Sequence, residues 1–141
     1  RVADPPILQP VPLAIPGATR IPGGDLFAVL IDGERAVLAT ASPDRAYLDG
    51  DAVSSDLRVR TPRPGERFRP LGARRDVDLS RFLARRRVPA ALRPGTPVID
   101  SRGRAAWVVG VEIAADFALR PATRRVLQLD LRWDPPPVRS G

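Results

Sequence analysis

Arginine is the only basic side chain in this sequence: lysine and histidine are both absent, and all 23 cationic residues carry guanidinium groups. Guanidinium stays protonated in proteins, so none of these groups can act as a general base. Cysteine is also absent, which removes thiolate nucleophiles, disulfides and, together with histidine, the usual zinc ligands. The serines Ser42, Ser54, Ser55, Ser80, Ser101 and Ser140 therefore have no imidazole or amine to activate them. Carboxylates remain. Asp49 and Asp51 flank Gly50 and form the closest acidic pair in a turn-like setting, where acid–base chemistry is formally open to them. Aspartates at such a turn commonly accept local backbone hydrogen bonds instead, and that is the reading adopted. No catalytic residue and no metal ligand set is assigned. The chemistry that arginine does perform well is bidentate binding of anions such as phosphate.

The formal charge is +7 and the isoelectric point about 11.4, which points toward a polyanionic partner. A chain rich in Ala, Arg, Gly and Pro without Lys or Asn also carries the mark of GC-rich coding, so distribution says more than total. Residues 1–56 hold four arginines against eight acids, residues 57–93 twelve against three, and residues 94–141 seven against five. Coding bias alone would spread arginine evenly. The bland alternative is a solvated surface with cations complementing a helix C-terminus.

These charges must be carried by short elements, because 17 prolines and 11 glycines interrupt the chain. Strands are expected at Val11–Ile15, Phe27–Ile31, Arg35–Thr40, Leu57–Arg60, Pro97–Asp100, Ala105–Val111 and Val126–Leu131. Asp32-Gly33 suggests a hairpin between the second and third of these, and Ser101-Arg102-Gly103 a turn. Period-two alternation at Leu57–Arg60 puts Leu57 and Val59 inward, with Arg58 and Arg60 on the opposite face. One helix is expected, capped by Asp78, with Leu79, Phe82 and Leu83 on its buried face and Arg81 and Arg85 outside. Pro89 biases Val88 toward extended geometry, so the helix ends near Arg85 or Arg86. Pro22-Gly23-Gly24-Asp25 precedes a β-rich run rather than a helix, and so reads as a turn and not a phosphate-binding loop.

At 141 residues the chain holds one core. Residues 1–44 form a β-rich lead-in to the same domain, 45–131 its body, and 132–141 a loose tail. No apolar run approaches the roughly 20 residues of a membrane-spanning helix. The opening Arg1-Val2-Ala3-Asp4 has neither an initiator methionine nor a signal sequence and reads as part of a longer chain.

Between Arg45 and Leu131 several segments occur in a distinctive order. Leu57-Arg-Val-Arg-Thr-Pro-Arg-Pro-Gly-Glu-Arg-Phe-Arg-Pro-Leu-Gly72 comes first, after Tyr47-Leu48-Asp49. Leu79-Ser-Arg-Phe-Leu83 and Arg86-Arg87-Val88-Pro89 follow, then Pro97-Val98-Ile99, Trp107-Val-Val-Gly110, Phe117, and Thr123 to Leu129. This series resembles the C-terminal domain of tRNA(Ile)-lysidine synthetase. The resemblance implies an α+β fold, mostly short β-strands forming a sandwich-like core with one or two short helices, similar to a domain of the phenylalanyl-tRNA synthetase β subunit. It departs from the family pattern in charge at Asp78, Arg85 and Glu112. An ion pair between Asp78 and Arg85, or a shifted RNA footprint, would accommodate those reversals.

The resemblance further implies a cytoplasmic, tRNA-binding accessory domain that holds isoleucine tRNA on its acceptor-stem side. The parent would use ATP and Mg to attach lysine to the wobble cytidine, through a catalytic domain bearing a Ser-Gly-Gly-x-Asp-Ser loop. That loop is absent from this sequence, and no cofactor is assigned to it. The RNA-binding set is Arg60, Arg63, Arg69, Arg74, Arg75, Arg81, Arg85, Arg86 and Arg87, placed along a phosphate backbone. For Arg67 two readings stand open, a phosphate contact or an internal ion pair. The alternative function is a structural domain that packs on its parent's catalytic domain without touching RNA.

Overall fold

The structure, a computed structural model, describes residues 9–34 and 42–135. Strands β1 (Val11–Pro12), β2 (Gly17–Ile21), β3 (Gly24–Asp32), β4 (Arg45–Asp49) and β5 (Leu57–Arg60) open the chain. The short pair β6 (Arg67–Phe68) and β7 (Val77–Asp78) leads directly into α1 (Leu79–Arg85). Strands β8 (Val98–Ser101), β9 (Arg104–Val108), β10 (Glu112–Ile113) and β11 (Arg125–Trp133) complete it, with 3-10 turns at Arg93–Gly95 and Ala115–Phe117. One antiparallel sheet has the order β1-β5-β8-β9-β10 and a second the order β2-β3-β11-β4, while β6 and β7 form a separate hairpin.

Both sheets and the helix feed a single hydrophobic core. Leu26, Leu48, Leu127 and Leu129 come from the second sheet, Val59, Val98, Ile99, Trp107 and Val108 from the first, and Leu79 and Leu83 from α1, all at most 2 % exposed. The central strand β11 is flanked closely at both ends. A Cβ added to Gly24 would stand 2.5 Å from the carbonyl oxygen of Arg132, and one added to Gly50 2.6 Å from that of Arg125. Only glycine admits that approach without a backbone shift.

Most expected elements are present, with boundary changes that have local causes. The strand expected at Val11–Ile15 is confined to Val11–Pro12, although the Leu13 N–H still donates to the carbonyl of Leu57 at 2.9 Å. The strand expected at Ala105–Val111 stops at Val108, because Gly110, at φ 78°, turns the chain back into β10 at Glu112. The turn at Pro22–Asp25 joins β2 to β3, and Ser101–Gly103 joins β8 to β9. The run Arg35–Thr40 lies outside the described residues; the observed partners of β3 are β2 and β11. Arg132 and Trp133, assigned in advance to a loose tail, instead pair with Asp25 and Gly24. Asp134 follows them, its N–H donating to the Gly23 carbonyl at 2.8 Å and its carboxylate ion-paired with Arg20.

The helix begins and ends where the sequence places it. Asp78 is extended at φ −65°, ψ 123°, and its Oδ1 accepts from the Arg81 N–H at 2.9 Å, while Leu79, Phe82 and Leu83 face the core. That carboxylate satisfies one of the otherwise orphaned donors of the first turn. Asp78→Ala should therefore lower the unfolding free energy by about 1 kcal/mol in a urea titration, and Asp78→Asn by much less. The Asp78–Arg85 pair considered for the charge reversals does not form: Asp78 is engaged as the cap, and Arg85 has no partner among the described residues.

Candidate nucleic-acid interface

The arginines of residues 57–93 separate into groups that differ in what already holds them. Arg60 lies inside the protein, 2 % exposed. Its Nη1 and Nη2 donate to Glu66 Oε1 and Oε2 at 2.8 and 2.7 Å, its Nε to Asp100 Oδ1 at 2.7 Å, and Nη1 also to the Thr61 carbonyl at 3.1 Å. Burial opposes the charge of Arg60, and the hydrogen bonds it donates to Glu66 and Asp100 outweigh burial and hold its pKa above the ordinary value. The expectation that Arg60 faces outward for an RNA is corrected here. It is on the same strand face as exposed Arg58, as alternation requires, but the side chains of Glu66, from the turn that follows, and Asp100, from the neighbouring strand β8, take up its guanidinium.

Glu66 completes the same arrangement. Burial pushes its pKa up, while hydrogen bonds from Arg60 and from the Arg63 backbone N–H bring it below the ordinary range. Asp116, in the 3-10 turn Ala115–Phe117, likewise lies below the ordinary value: burial opposes this and hydrogen bonds from Arg69 and Arg104 prevail. A carboxyl whose folded pKa is depressed stabilises the fold above its unfolded pKa, near 4, and loses that contribution as pH falls through the folded value. Unfolding free energy should therefore be level above about pH 5 and decline below about pH 4, and Glu66→Gln should flatten the acid limb. Urea titrations at a series of pH values would measure both.

Arg69 is the second correction to the outward set. Its guanidinium is tied to Asp116, and its Nε is buried without a hydrogen-bond partner. Arg67 forms no ion pair among the described residues: its Nη2 donates to the Asp76 carbonyl at 2.9 Å, and the acid nearest in sequence, Glu66, pairs with Arg60. Arg63 and Arg86 are exposed but already engaged. Arg63 donates to the Gly103 carbonyl at 3.1 Å and lies 3.8 Å from Asp100. Arg86 lies over the Phe82 ring, 4.8 Å from its centroid, with Nη2 3.2 Å from Glu112. Thus Glu112, one of the three charge reversals, is matched by Arg86. Asp49 does what the turn reading assigns it, accepting from the Asp51 N–H at 3.0 Å, and it also pairs with Arg120 at 2.8 Å, whereas Asp51 accepts from the distant Arg124 N–H at 2.6 Å rather than from a neighbour in its own turn.

Five members of the set, Arg74, Arg75, Arg81, Arg85 and Arg87, are exposed and have no hydrogen-bond or ion-pair partner for their side chains among the described residues. The segment Val111–Ala115 brings their supports together. The Leu71 N–H donates to the Ile113 carbonyl at 3.1 Å and the Ala115 N–H to that of Arg69 at 2.8 Å, which seats the loop carrying Arg74 and Arg75. Arg86 reaches Glu112 on the same segment and fixes the end of α1 beside it. At that end Arg87 adopts a left-handed conformation, φ 63°, while the Val88 N–H returns to the Leu83 carbonyl at 2.9 Å. Glycine is the residue commonly found there.

The sequence reading omitted a further free arginine. Arg102, at φ 52° in the β8–β9 turn, is exposed and unpartnered among the described residues, whereas Arg104, two residues on, is ion-paired with Asp116 as Arg69 is. Arg102 and Arg87 are the two non-glycine residues of positive φ among those described. The signal for Arg102 was its place in Ser101-Arg102-Gly103, read only as a turn. Arg63, Arg67, Arg69 and Arg104 line a cleft of about 280 Å³ together with Glu66, Asp76 and Asp116, a mixed-charge surface that joins the β8–β9 turn to the β6–β7 loop. Among the described residues no three His, Cys, Asp or Glu side chains group as metal ligands would, and no helix is long and apolar enough to cross a membrane.

The two sheets, the short helix and the arginine-bearing loop between β6 and β7 place the chain in a fold class that includes a fragment of the phenylalanyl-tRNA synthetase β subunit from Pyrococcus horikoshii. That crystal structure superposes with a TM-score of 0.55 at 17 % identity, covering 64 % of this chain and 28 % of the fragment, a likeness of fold alone. A crystal structure of a TilS C-terminal domain matches more fully, with a TM-score of 0.76 at 26 % identity over 89 % of this chain and 96 % of that one. Residues 57–133 match the family model described as TilS substrate C-terminal domain, and the chain belongs to that family, the C-terminal domains of tRNA(Ile)-lysidine synthases. The synthase of Symbiobacterium thermophilum is 33 % identical over 125 residues, 88 % of this chain and 26 % of its own length. That of Dehalococcoides mccartyi is 36 % identical over 87 residues, 62 % of this chain and 18 % of its own. The chain thus spans about a quarter or less of these relatives.

Proposed function

We propose that this domain binds isoleucine tRNA through the phosphates of a stem and positions it for a catalytic domain elsewhere in the parent protein. The observation that carries this reading is the group of five exposed arginines without protein partners, held on the β6–β7 loop and on α1 around one short segment. Guanidinium groups donate in pairs to phosphate oxygens, and double-stranded RNA is recognised mostly through shape, phosphates and 2′-hydroxyls. The relatives are named tRNA(Ile)-lysidine synthases, which supplies the nucleic acid and the reaction. The parent would attach lysine to the wobble cytidine at the expense of ATP, with Mg²⁺, in the cytoplasm. Nothing in this chain is assigned to ATP or Mg²⁺; its contribution is orientation of the substrate, with contacts toward the acceptor stem.

A titration of labelled isoleucine tRNA with the 141-residue chain tests the reading. Binding should be strong at low salt and fall linearly in log salt. Affinity no greater than that of an acidic protein of equal size would transfer the domain to the other role, packing on its parent without RNA contact.

A further inference from the structure

A cleft of about 560 Å³ opens next to the arginine loop, lined by Leu71 of that loop and by none of the five unpartnered arginines. Leu71, Val111, Ile113 and Leu119 form its walls, and the rings of Tyr47 and Trp107 line it from the core. Leu71 is half exposed, an apolar side chain presented to solvent in an otherwise charged loop. The charged lining residues are already paired, Arg86 with Glu112 and Arg45 with Asp130. The volume falls in the usual range for a small-ligand site.

We propose that this cleft receives the base of one unpaired nucleotide that continues the RNA strand beyond the stem held by the arginines, an inference resting on the phosphate-binding reading above. Charge complementarity identifies the occupant. Arg74 is three residues from Leu71, which limits their Cα separation to about 11 Å, and Arg85 and Arg87 flank Arg86 directly. A nucleotide carries a flat, weakly polar face and an anionic phosphate side by side; the cleft offers an apolar slot, and unpartnered cations stand within one to three residues of its lining residues Leu71 and Arg86. An apolar peptide would leave the cations unused. A paired base cannot enter without leaving its stack, whereas an unpaired one is free to do so. Insertion of such bases among apolar and aromatic side chains is sequence-tolerant, because every base presents a π-face.

The test compares five RNAs of three kinds bound to the 141-residue chain, measured by fluorescence anisotropy at one salt concentration. They are a blunt stem, the same stem with a single-nucleotide overhang placed in turn at the 3′ and the 5′ end, and the same overhangs made abasic. One of the overhangs should bind about 5- to 100-fold more tightly than the blunt stem, with the gain lost in the abasic form. Leu71→Ala and Leu119→Ala should diminish the gain and leave the affinity for the blunt stem unchanged. In a Trp133→Phe background the emission of Trp107 should change only with the base-bearing overhang. Equal affinities for all five RNAs would overturn the proposal and leave phosphate binding standing. Binding of none would overturn both. Cleft variants that spare the overhang gain but weaken attachment to the parent's catalytic domain would assign the cleft to a protein partner and overturn it equally.

Discussion

Arg60→Ala should destabilise the domain by about 3–5 kcal/mol, a large part of the 5–15 kcal/mol that typically holds a domain of this size together. Arg60 is enclosed, and its guanidinium is the shared donor of Glu66 and Asp100, whose side chains are 9 % and 10 % exposed. Truncation would leave two carboxylates facing each other in a poorly solvated space. The energy at stake is their uncompensated charge rather than the net worth of the pair, which in buried settings is often small. Arg60→Lys should recover only part of the loss, because a single ammonium cannot reproduce the fork that spans Glu66 and Asp100. Urea titrations of both variants would decide this; a loss near that of a surface ion pair, under about 1 kcal/mol, would contradict the internal role.

Simultaneous replacement of Arg74, Arg75, Arg85 and Arg87 by alanine should do the reverse, sparing the fold and removing most of the RNA affinity. These side chains are exposed and unpartnered among the described residues, so their loss leaves no buried carboxylate unpaired. Five phosphate contacts, counting Arg81, correspond to a slope of roughly −4 in a plot of log affinity against log salt. With that slope, raising salt from 50 to 200 mM weakens binding by about 100-fold or more. The quadruple variant should flatten the slope by about 3 and bind far more weakly at low salt. Arg20→Ala is the control: that cation is already matched by Asp25 and Asp134 on the other sheet, and its loss should leave the slope in place. An unchanged slope in the quadruple variant would locate the RNA contacts elsewhere.

Much of the local architecture was legible because it is set by neighbours in sequence. Asp78 followed by Leu79, Phe82 and Leu83 specifies both the cap and the buried stripe of α1, and the structure shows both. Ser101-Arg102-Gly103 specifies the β8–β9 turn, and the family likeness carried by residues 45–131 anticipated the matched family and fold. The β2 strand and the β6–β7 hairpin were not anticipated. Each is short, and the two-residue strands β6 and β7 are too brief to display a periodicity.

For the interface the division runs residue by residue. Alternation in Leu57–Arg60 correctly assigns Arg58 and Arg60 to one face, yet Arg58 is exposed and Arg60 buried, because period two tells which face a side chain occupies and not what covers it. Similarly, Glu66 has Arg67 beside it in sequence, but adjacent residues of an extended segment point to opposite sides, and the turn delivers Glu66 to Arg60 instead. Sequence by itself determined the repertoire: fixed cations, no imidazole, thiol or amine, a capped helix, and strands bounded by turns. Which arginines are spent on the protein's own carboxylates was decided only by tertiary structure. Those carboxylates, Asp100 and Asp116, lie 40 and 47 residues from Arg60 and Arg69, and only the folding of β8 and the Ala115–Phe117 turn against β5 and β6 places opposite charges within hydrogen-bond reach.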